Sequence, residues 1–197
     1  MLYVVRHGRT EHNATGRLLG RIDPPLDDHG RRQAEALAGA IGPVDRVVSS
    51  PLVRTRETAE AFGRTIEVDD RWIELDYGEY DGVPLAAVEP EIWQRWRTDR
   101  EFAPPGGESL WQLGQRVSDA LDQLVAEDVA GTTTVVVTHV SPIKAAVCWA
   151  LGVDELVSWR LWVATASITT LQLGSGRTVM HGFNDIAHLR AAGLADR

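Results

Sequence analysis

The chain has 197 residues, 44% of them apolar and 24% charged, with a net charge of −8. That length suits one domain with a sizeable core, so residues 1–197 are read as a single domain, and the negative charge argues against nucleic acid or an acidic membrane surface as a partner. No apolar stretch approaches the ~18 residues that span a bilayer, and a single cysteine, Cys148, excludes an internal disulfide.

Leu2–Val5 reads as a buried strand and begins without a basic n-region or cleavage site, which predicts a cytoplasmic protein. Gly30–Ile41 reads as a helix, with Ala34, Leu37, Ala38 and Ile41 on one face, and Asp45–Val48 as a second strand. Ser50-Pro51 has the form of an N-cap followed by proline at the first helical position, opening a helix through Phe62. Ile66–Val68 is a short third strand, Trp72–Asp81 is turn-rich, and residues 84–104 hold two short helical pieces carrying Trp93 and Trp96. A long helix from Glu108 to Glu127 follows Pro104-Pro105-Gly106-Gly107. Thr133–Val137 is the most hydrophobic strand, and Ser141-Pro142 opens a helix to Leu151. Ala166–Leu173 and Thr178–His181 are expected to pair around Gly174–Gly176. The alternation favours an α/β fold, a three-layer α/β/α sandwich with a mostly parallel central sheet. Leu2–Val5 and Val135–Val137 are expected at its centre, being apolar on both faces.

Three of these strand-like runs lead into cationic or basic side chains. Leu2–Val5 precedes Arg6-His7-Gly8, Val47-Val48 precedes Ser49-Ser50-Pro51-Leu52-Val53-Arg54, and Val135–Val137 precedes Thr138-His139. Ligands of open α/β sheets bind outside the carboxyl ends of the strands, so three such ends can share one pocket. Arginines and histidines gathered there make an anion site that best fits a phosphoryl group. Gly8 would let the backbone approach the ligand, and a neutral imidazole is a competent nucleophile toward phosphorus. His12, His29, His181 and His188 have no context beyond a structural role, and Asp69-Asp70 reads as a solvated turn. There is no metal-ligand spacing and no glycine-rich nucleotide loop, so neither metal nor cofactor is expected.

The extension Arg6-His7-Gly8-Arg9-Thr10-Glu11-His12-Asn13, continuing through Gly16-Arg17-Leu18-Leu19-Gly20 to Asp23, Leu26 and Gly30, resembles the histidine phosphatase superfamily, the phosphoglycerate-mutase-like proteins. The resemblance continues in order through Ser50-Pro51-Leu52-Val53-Arg54-Thr55-Arg56-Glu57-Thr58-Ala59, Glu74–Gly82, Pro105-Gly106-Gly107-Glu108-Ser109 and Val135–His139. Many relatives have glycine after the second histidine where this chain has Val140. That variant and Phe183–Leu189 are similar to actinobacterial members of the acid phosphatase or α-ribazole phosphatase type. Some of those are fused to ribonuclease H domains, and nothing here resembles such a domain.

The resemblance implies a phosphomonoesterase acting on a small phosphorylated metabolite. It implies His7 as the phosphorylated nucleophile, Arg6, Arg54 and His139 around the phosphate, and Glu74 as general acid. Residue types alone leave Asp76 and Glu79 as rivals for the acid; the family spacing of glutamate four residues before Gly78 selects Glu74. Beside a phosphate dianion that carboxyl should hold its proton more firmly. Asn13 is expected to hydrogen-bond a phosphoryl oxygen beside Gly8, with Arg17, Leu19, Gly20 and Val140 lining the mouth. His139 is expected as a protonated donor, and the helix N-termini after Pro51 and Pro142 are expected to face the same anion.

A phosphoglycerate mutase shares this core but grips a second anionic group with a lysine and adjacent arginines from a longer insertion. Residues 84–104 carry Arg95, Arg97 and Arg100, without a lysine or an arginine pair, so hydrolysis leads. A non-catalytic phospho-ligand binding module should lack a core residue, and all are present. A homodimer is left open, with Trp149, Trp159 and Trp162 as candidate interface residues. Trp93 and Trp96 read as helix packing or as an apolar wall for the leaving group.

Overall fold

Strands apolar on both faces need cover from two sides, and the chain supplies it. A computed structural model describes residues 1–128, 131–174 and 177–196. Its strands are β1 (Leu2–Arg6), β2 (Arg46–Ser49), β3 (Ile66–Val68), β4 (Thr134–Thr138), β5 (Ile168–Gln172) and β6 (Val179–Asp185). They form one six-stranded sheet in the order β3-β2-β4-β1-β5-β6. The β3-β2, β2-β4 and β4-β1 pairs are parallel, while β5 and β6 join antiparallel. The two strands expected at the centre, β1 and β4, lie there.

The helices are α1 (Glu11–Ala14), α2 (Asp28–Ile41), α3 (Val53–Glu60), α4 (Pro90–Thr98), α5 (Leu110–Ala126), α6 (Val140–Leu151) and α7 (Ala187–Ala191). Period-two alternation divides the strand side chains between two cores. Leu2, Val4, Val48 and Val136 pack against Leu113, Val117 and Leu121 of α5 and Ile143 and Ala146 of α6. Val5, Val47, Val135 and Val137 pack against Leu37 of α2, Ala59 of α3 and Leu189 of α7. The result is the expected three-layer sandwich.

A third cluster, Leu18, Val88, Trp96 and Phe102, is joined by Tyr77, Tyr80, Trp93 and Trp159. Trp96 is 1% exposed, so it is a packing residue, and it fastens α4 beside the Tyr77 loop. Trp159 packs edge-on against Trp93, whereas Trp162 is 65% exposed.

Some boundaries differ from expectation. The final strand β6 extends to Asp185 instead of stopping at His181, and the Ser175-Gly176 part of the expected turn before it lies outside the described residues. Asp69 is no solvated aspartate: it caps a short turn and pairs with Arg71 at 2.7 Å.

Candidate active site

Because β2, β4 and β1 are adjacent and parallel, their carboxyl ends lie side by side, with Arg6 opposite Thr138 and Ser49 opposite Val137. The ladder continues one step beyond: His7 N–H donates to Thr138 O and Ser50 N–H to Val137 O, each at 3.0 Å. The His7 and His139 rings are thereby brought edge to face with centroids 5.2 Å apart. His7, His139 and Arg54 are at most 2% exposed.

His7 Nδ1 lies 2.7 Å from the carbonyl oxygen of Gly8. A carbonyl only accepts, so the proton sits on Nδ1 and the neutral ring keeps its lone pair on Nε2. Burial, reinforced by Arg54 and Arg6, holds the ring well below the usual histidine range. Gly8 itself is crowded from behind, since a Cβ there would lie 2.3 Å from Gly30 O. The glycine is thus required by a protein contact. Its N–H donates to Thr58 Oγ1 at 3.0 Å, and Asp27 caps the facing end of α2 through Gly30 N–H at 2.7 Å.

His139 is the N-cap of α6, which starts at Val140, earlier than expected from Ser141-Pro142. Its Nε2 is 2.8 Å from Ser50 Oγ, and Arg54 Nε donates to its Nδ1 at 3.3 Å. Arginine only donates, so this ring is protonated on Nε2 alone. Burial first, then Arg54 and His7, hold it well below the usual range. Among its protein neighbours alone His139 is therefore neutral; the protonated donor expected from sequence is one beside a phosphate dianion.

Ser50 does not cap a helix either. The helix α3 starts at Val53, whose N–H is met at 2.9 Å by Asp23 from a distant loop, leaving the Ser50 hydroxyl to His139. At the head of α6, Ser141 N–H donates to Glu74 Oε1 at 3.1 Å. Protein carboxylates thus take N–H groups at both helix starts that had been expected to face an anion.

The Arg54 guanidinium is clamped by Ile22 O and Gly20 O, each at 2.8 Å. Burial above all lowers its pKa to about 10, which leaves it charged at neutral pH. Arg6 donates from NH1 to Val163 O at 2.8 Å, while its buried Nε has no hydrogen-bond partner among the described residues. Glu74 is 3% exposed, and its Oε1 also accepts from Leu75 N–H at 2.7 Å. Neither rival carboxylate is buried, and Asp76 is turned to Gly78 N–H at 2.9 Å.

The remaining candidates separate. Asn13 and Arg17 line a cleft of about 450 Å³ together with Arg6. The Asn13 carbonyl oxygen is held by Thr10 N–H at 3.1 Å in a capping box. Leu19 is buried at 8% exposure, and Gly20 serves as the Arg54 clamp. Val140 lines a different, small cavity of about 60 Å³ with Tyr77, Ser141 and Lys144. Among the described residues no three His, Cys, Asp or Glu side chains are grouped to hold a metal ion. Sequence reasoning missed Ser50 as the partner of His139. It also missed Arg116, which donates to Glu74 O at 3.2 Å and Arg71 O at 2.6 Å and so fixes the Glu74 loop. Nothing local in the sequence signals either contact.

The family model described as histidine phosphatase superfamily (branch 1) matches residues 2–186. A bifunctional protein of Mycobacterium tuberculosis is 37% identical over 178 residues, covering 85% of this chain and 49% of its own length. The chain thus spans about half the length of that relative. Phosphoserine phosphatase 1 of Hydrogenobacter thermophilus is 35% identical, covering 95% of this chain and 93% of its own. Among solved structures, a mycobacterial glucosyl-3-phosphoglycerate phosphatase in complex with VO3 superimposes with a TM-score of 0.83 at 31% identity, covering 94% of this chain and 98% of that one.

Proposed function

The chain belongs to the histidine phosphatase superfamily, and from that premise we propose that it hydrolyses small phosphomonoesters through a phosphohistidine at His7. The single observation that carries the proposal is the Nδ1 contact of His7 with Gly8 O at 2.7 Å in a buried ring kept neutral. It leaves Nε2 as the only lone pair able to attack phosphorus.

In the first step Nε2 forms the bond to phosphorus and the ester P–O bond breaks. The leaving oxygen takes its proton from Glu74, which is buried at the head of α6, where Ser141 N–H donates to it, and whose charge acts on Arg6 and Arg54. In the second step water attacks the phosphohistidine, gives its proton to Glu74, and releases inorganic phosphate and neutral His7. Arg6, through its free Nε, and Arg54 supply fixed positive charge for the phosphoryl oxygens. A phosphoryl dianion next to His139 favours the imidazolium, so its Nδ1 would turn from accepting to donating as substrate binds. The phosphatase names of relatives matching nearly the whole chain support hydrolysis. A cytoplasmic setting accords with the one free, buried Cys148.

Enzyme quenched during turnover of a labelled phosphomonoester should carry an acid-labile, alkali-stable phosphate on His7, and His7→Ala should lose the label and at least about 1,000-fold of the activity while remaining folded. Label on a serine, or an active His7→Ala, would overturn the mechanism.

A further inference from the structure

The cleft of about 450 Å³ that Arg6 and Asn13 share with Arg17 is of ligand size, and Arg6 is the residue it has in common with the proposed phosphate pocket. Its composition is unusual for this acidic chain, with three arginines, Arg6, Arg9 and Arg17, facing one aspartate, Asp196. Arg9 is already neutralised, its Nε bonded to Asp27 at 2.8 Å and its NH1 3.6 Å from Asp196. Arg17 has no carboxylate within ion-pair distance among the described residues. Its NH1 rests on Gly82 O at 2.9 Å, which fixes the guanidinium and leaves Nε and NH2 for another acceptor. The backbone behind it is held as well, because Arg17 bridges to Pro84 and Leu85 N–H donates to Gly16 O at 3.0 Å.

Two large apolar side chains flank the same cleft, Trp162 at 65% exposure and Leu85 at 45%. Trp162 projects from a backbone tied to the catalytic strand rather than from a loose loop. Val163 O accepts from Arg6 NH1 at 2.8 Å, Ala164 N–H donates to Asn184 Oδ1 at 2.8 Å, and Ala166 N–H donates to His7 O at 3.0 Å. An exposed indole and a guanidinium with no carboxylate partner among the described residues therefore line one cleft with Arg6, the residue before the nucleophile, and together they could grip a ligand at two points.

We propose that Trp162 and Arg17 form the leaving-group subsite of this enzyme, selecting phosphomonoesters whose leaving group joins a ring to a second anionic group such as a carboxylate. The ring lies on the indole and the carboxylate on the Arg17 fork. The proposal rests on the phosphatase reading above, and the test separates the two.

Hydrolysis of methyl phosphate, phenyl phosphate and para-carboxyphenyl phosphate is compared in wild type, Trp162→Ala, Trp162→Phe and Arg17→Gln. Trp162→Ala should lower kcat/KM for both aryl esters about 10-fold more than for methyl phosphate, with Trp162→Phe restoring most of it. Arg17→Gln should lower kcat/KM for the carboxyphenyl ester about 10-fold more than for phenyl phosphate, through KM. Equal losses across all three esters in either variant would overturn the subsite while leaving the phosphatase reading intact. Failure of the wild type to hydrolyse any of them, with no phosphate trapped on His7, would overturn both.

Discussion

Gly8 and Gly30 meet back to back: a Cβ on Gly8 would lie 2.3 Å from Gly30 O, and a Cβ on Gly30 would lie 2.1 Å from Arg9 O. The contact presses the start of α2 against the residue whose carbonyl orients His7. Gly30→Ala should therefore do two things. Overpacking should cost about 1–3 kcal/mol of stability. Displacing the Gly8 carbonyl should also lower kcat about 100-fold, since small misplacements at a reacting group are expensive. Urea unfolding and steady-state kinetics on one preparation check both, and a stable variant of wild-type activity would refute the link.

The buried neutral histidines predict the acid sensitivity of the fold. His7 and His139 are held below the usual range, so the native state resists taking up protons that the unfolded chain binds below about pH 6.5. Their lowered native pKa makes this contribution complete above that pH and lost as the pH falls. Each histidine should add up to about 1.4 kcal/mol per pH unit to the slope of stability between roughly pH 6.5 and 5. The His7→Gln/His139→Gln double variant should flatten that slope when unfolding is measured at several pH values. Neutrality of His7 also means that the activity of the wild type should persist well below pH 6.5.

The central strands were legible because Leu2–Val5 and Val135–Val137 are apolar on both faces, a pattern that only a doubly covered strand satisfies. The strand-end clustering of His7, Arg54 and His139 followed from that placement. What escaped was non-local. Ser50 looks like an N-cap until Asp23, almost thirty residues earlier in the chain, takes the N–H of Val53 at 2.9 Å. Gly8 looks like a ligand-approach glycine until Gly30 arrives behind it. The helix α1 spans only four residues and rests on the Thr10–Asn13 capping box, too short a signal for periodicity to register. The last strand, β6, is expected as far as His181 but continues through Asn184 and Asp185 on an edge, where the polarity of that end concealed its length.

Among the described residues Glu74 is the only buried carboxylate; its charge acts on Arg6 and Arg54, and its backbone is pinned by Arg116. If it protonates the leaving oxygen, Glu74→Gln should slow alkyl phosphates about 100-fold or more, because an alkoxide cannot depart unaided. p-Nitrophenyl phosphate, whose leaving group needs no proton, should lose far less. A comparison of kcat for the two ester types decides the matter; equal losses would move the role to another group, with Asp76 and Glu79 tested next.

Hydrolysis and mutase chemistry differ in what happens to the phosphohistidine, and the arginines of residues 84–104 bear on the choice. Arg95 stacks 4.0 Å over the Phe102 ring, and Arg97 lies 5.9 Å from the Trp93 centroid. Arg100 lies 3.3 Å from both Asp154 and Glu155. Arg100 is held by two carboxylates, while Arg95 and Arg97 are exposed beside aromatic rings. With neither a lysine nor an adjacent arginine pair, this segment lacks the cation cluster a mutase uses to hold a substrate's second charge while the phosphoryl returns to it. The cleft beside Arg6, the residue before the nucleophile, should let water reach the same intermediate. The enzyme should thus release inorganic phosphate without bisphosphoglycerate priming and interconvert the phosphoglycerate isomers negligibly. Both assays on a single preparation give the answer: interconversion that is stimulated by bisphosphoglycerate and far exceeds phosphate release would identify a mutase, because it would require an intermediate shielded from the water that this cleft lets in.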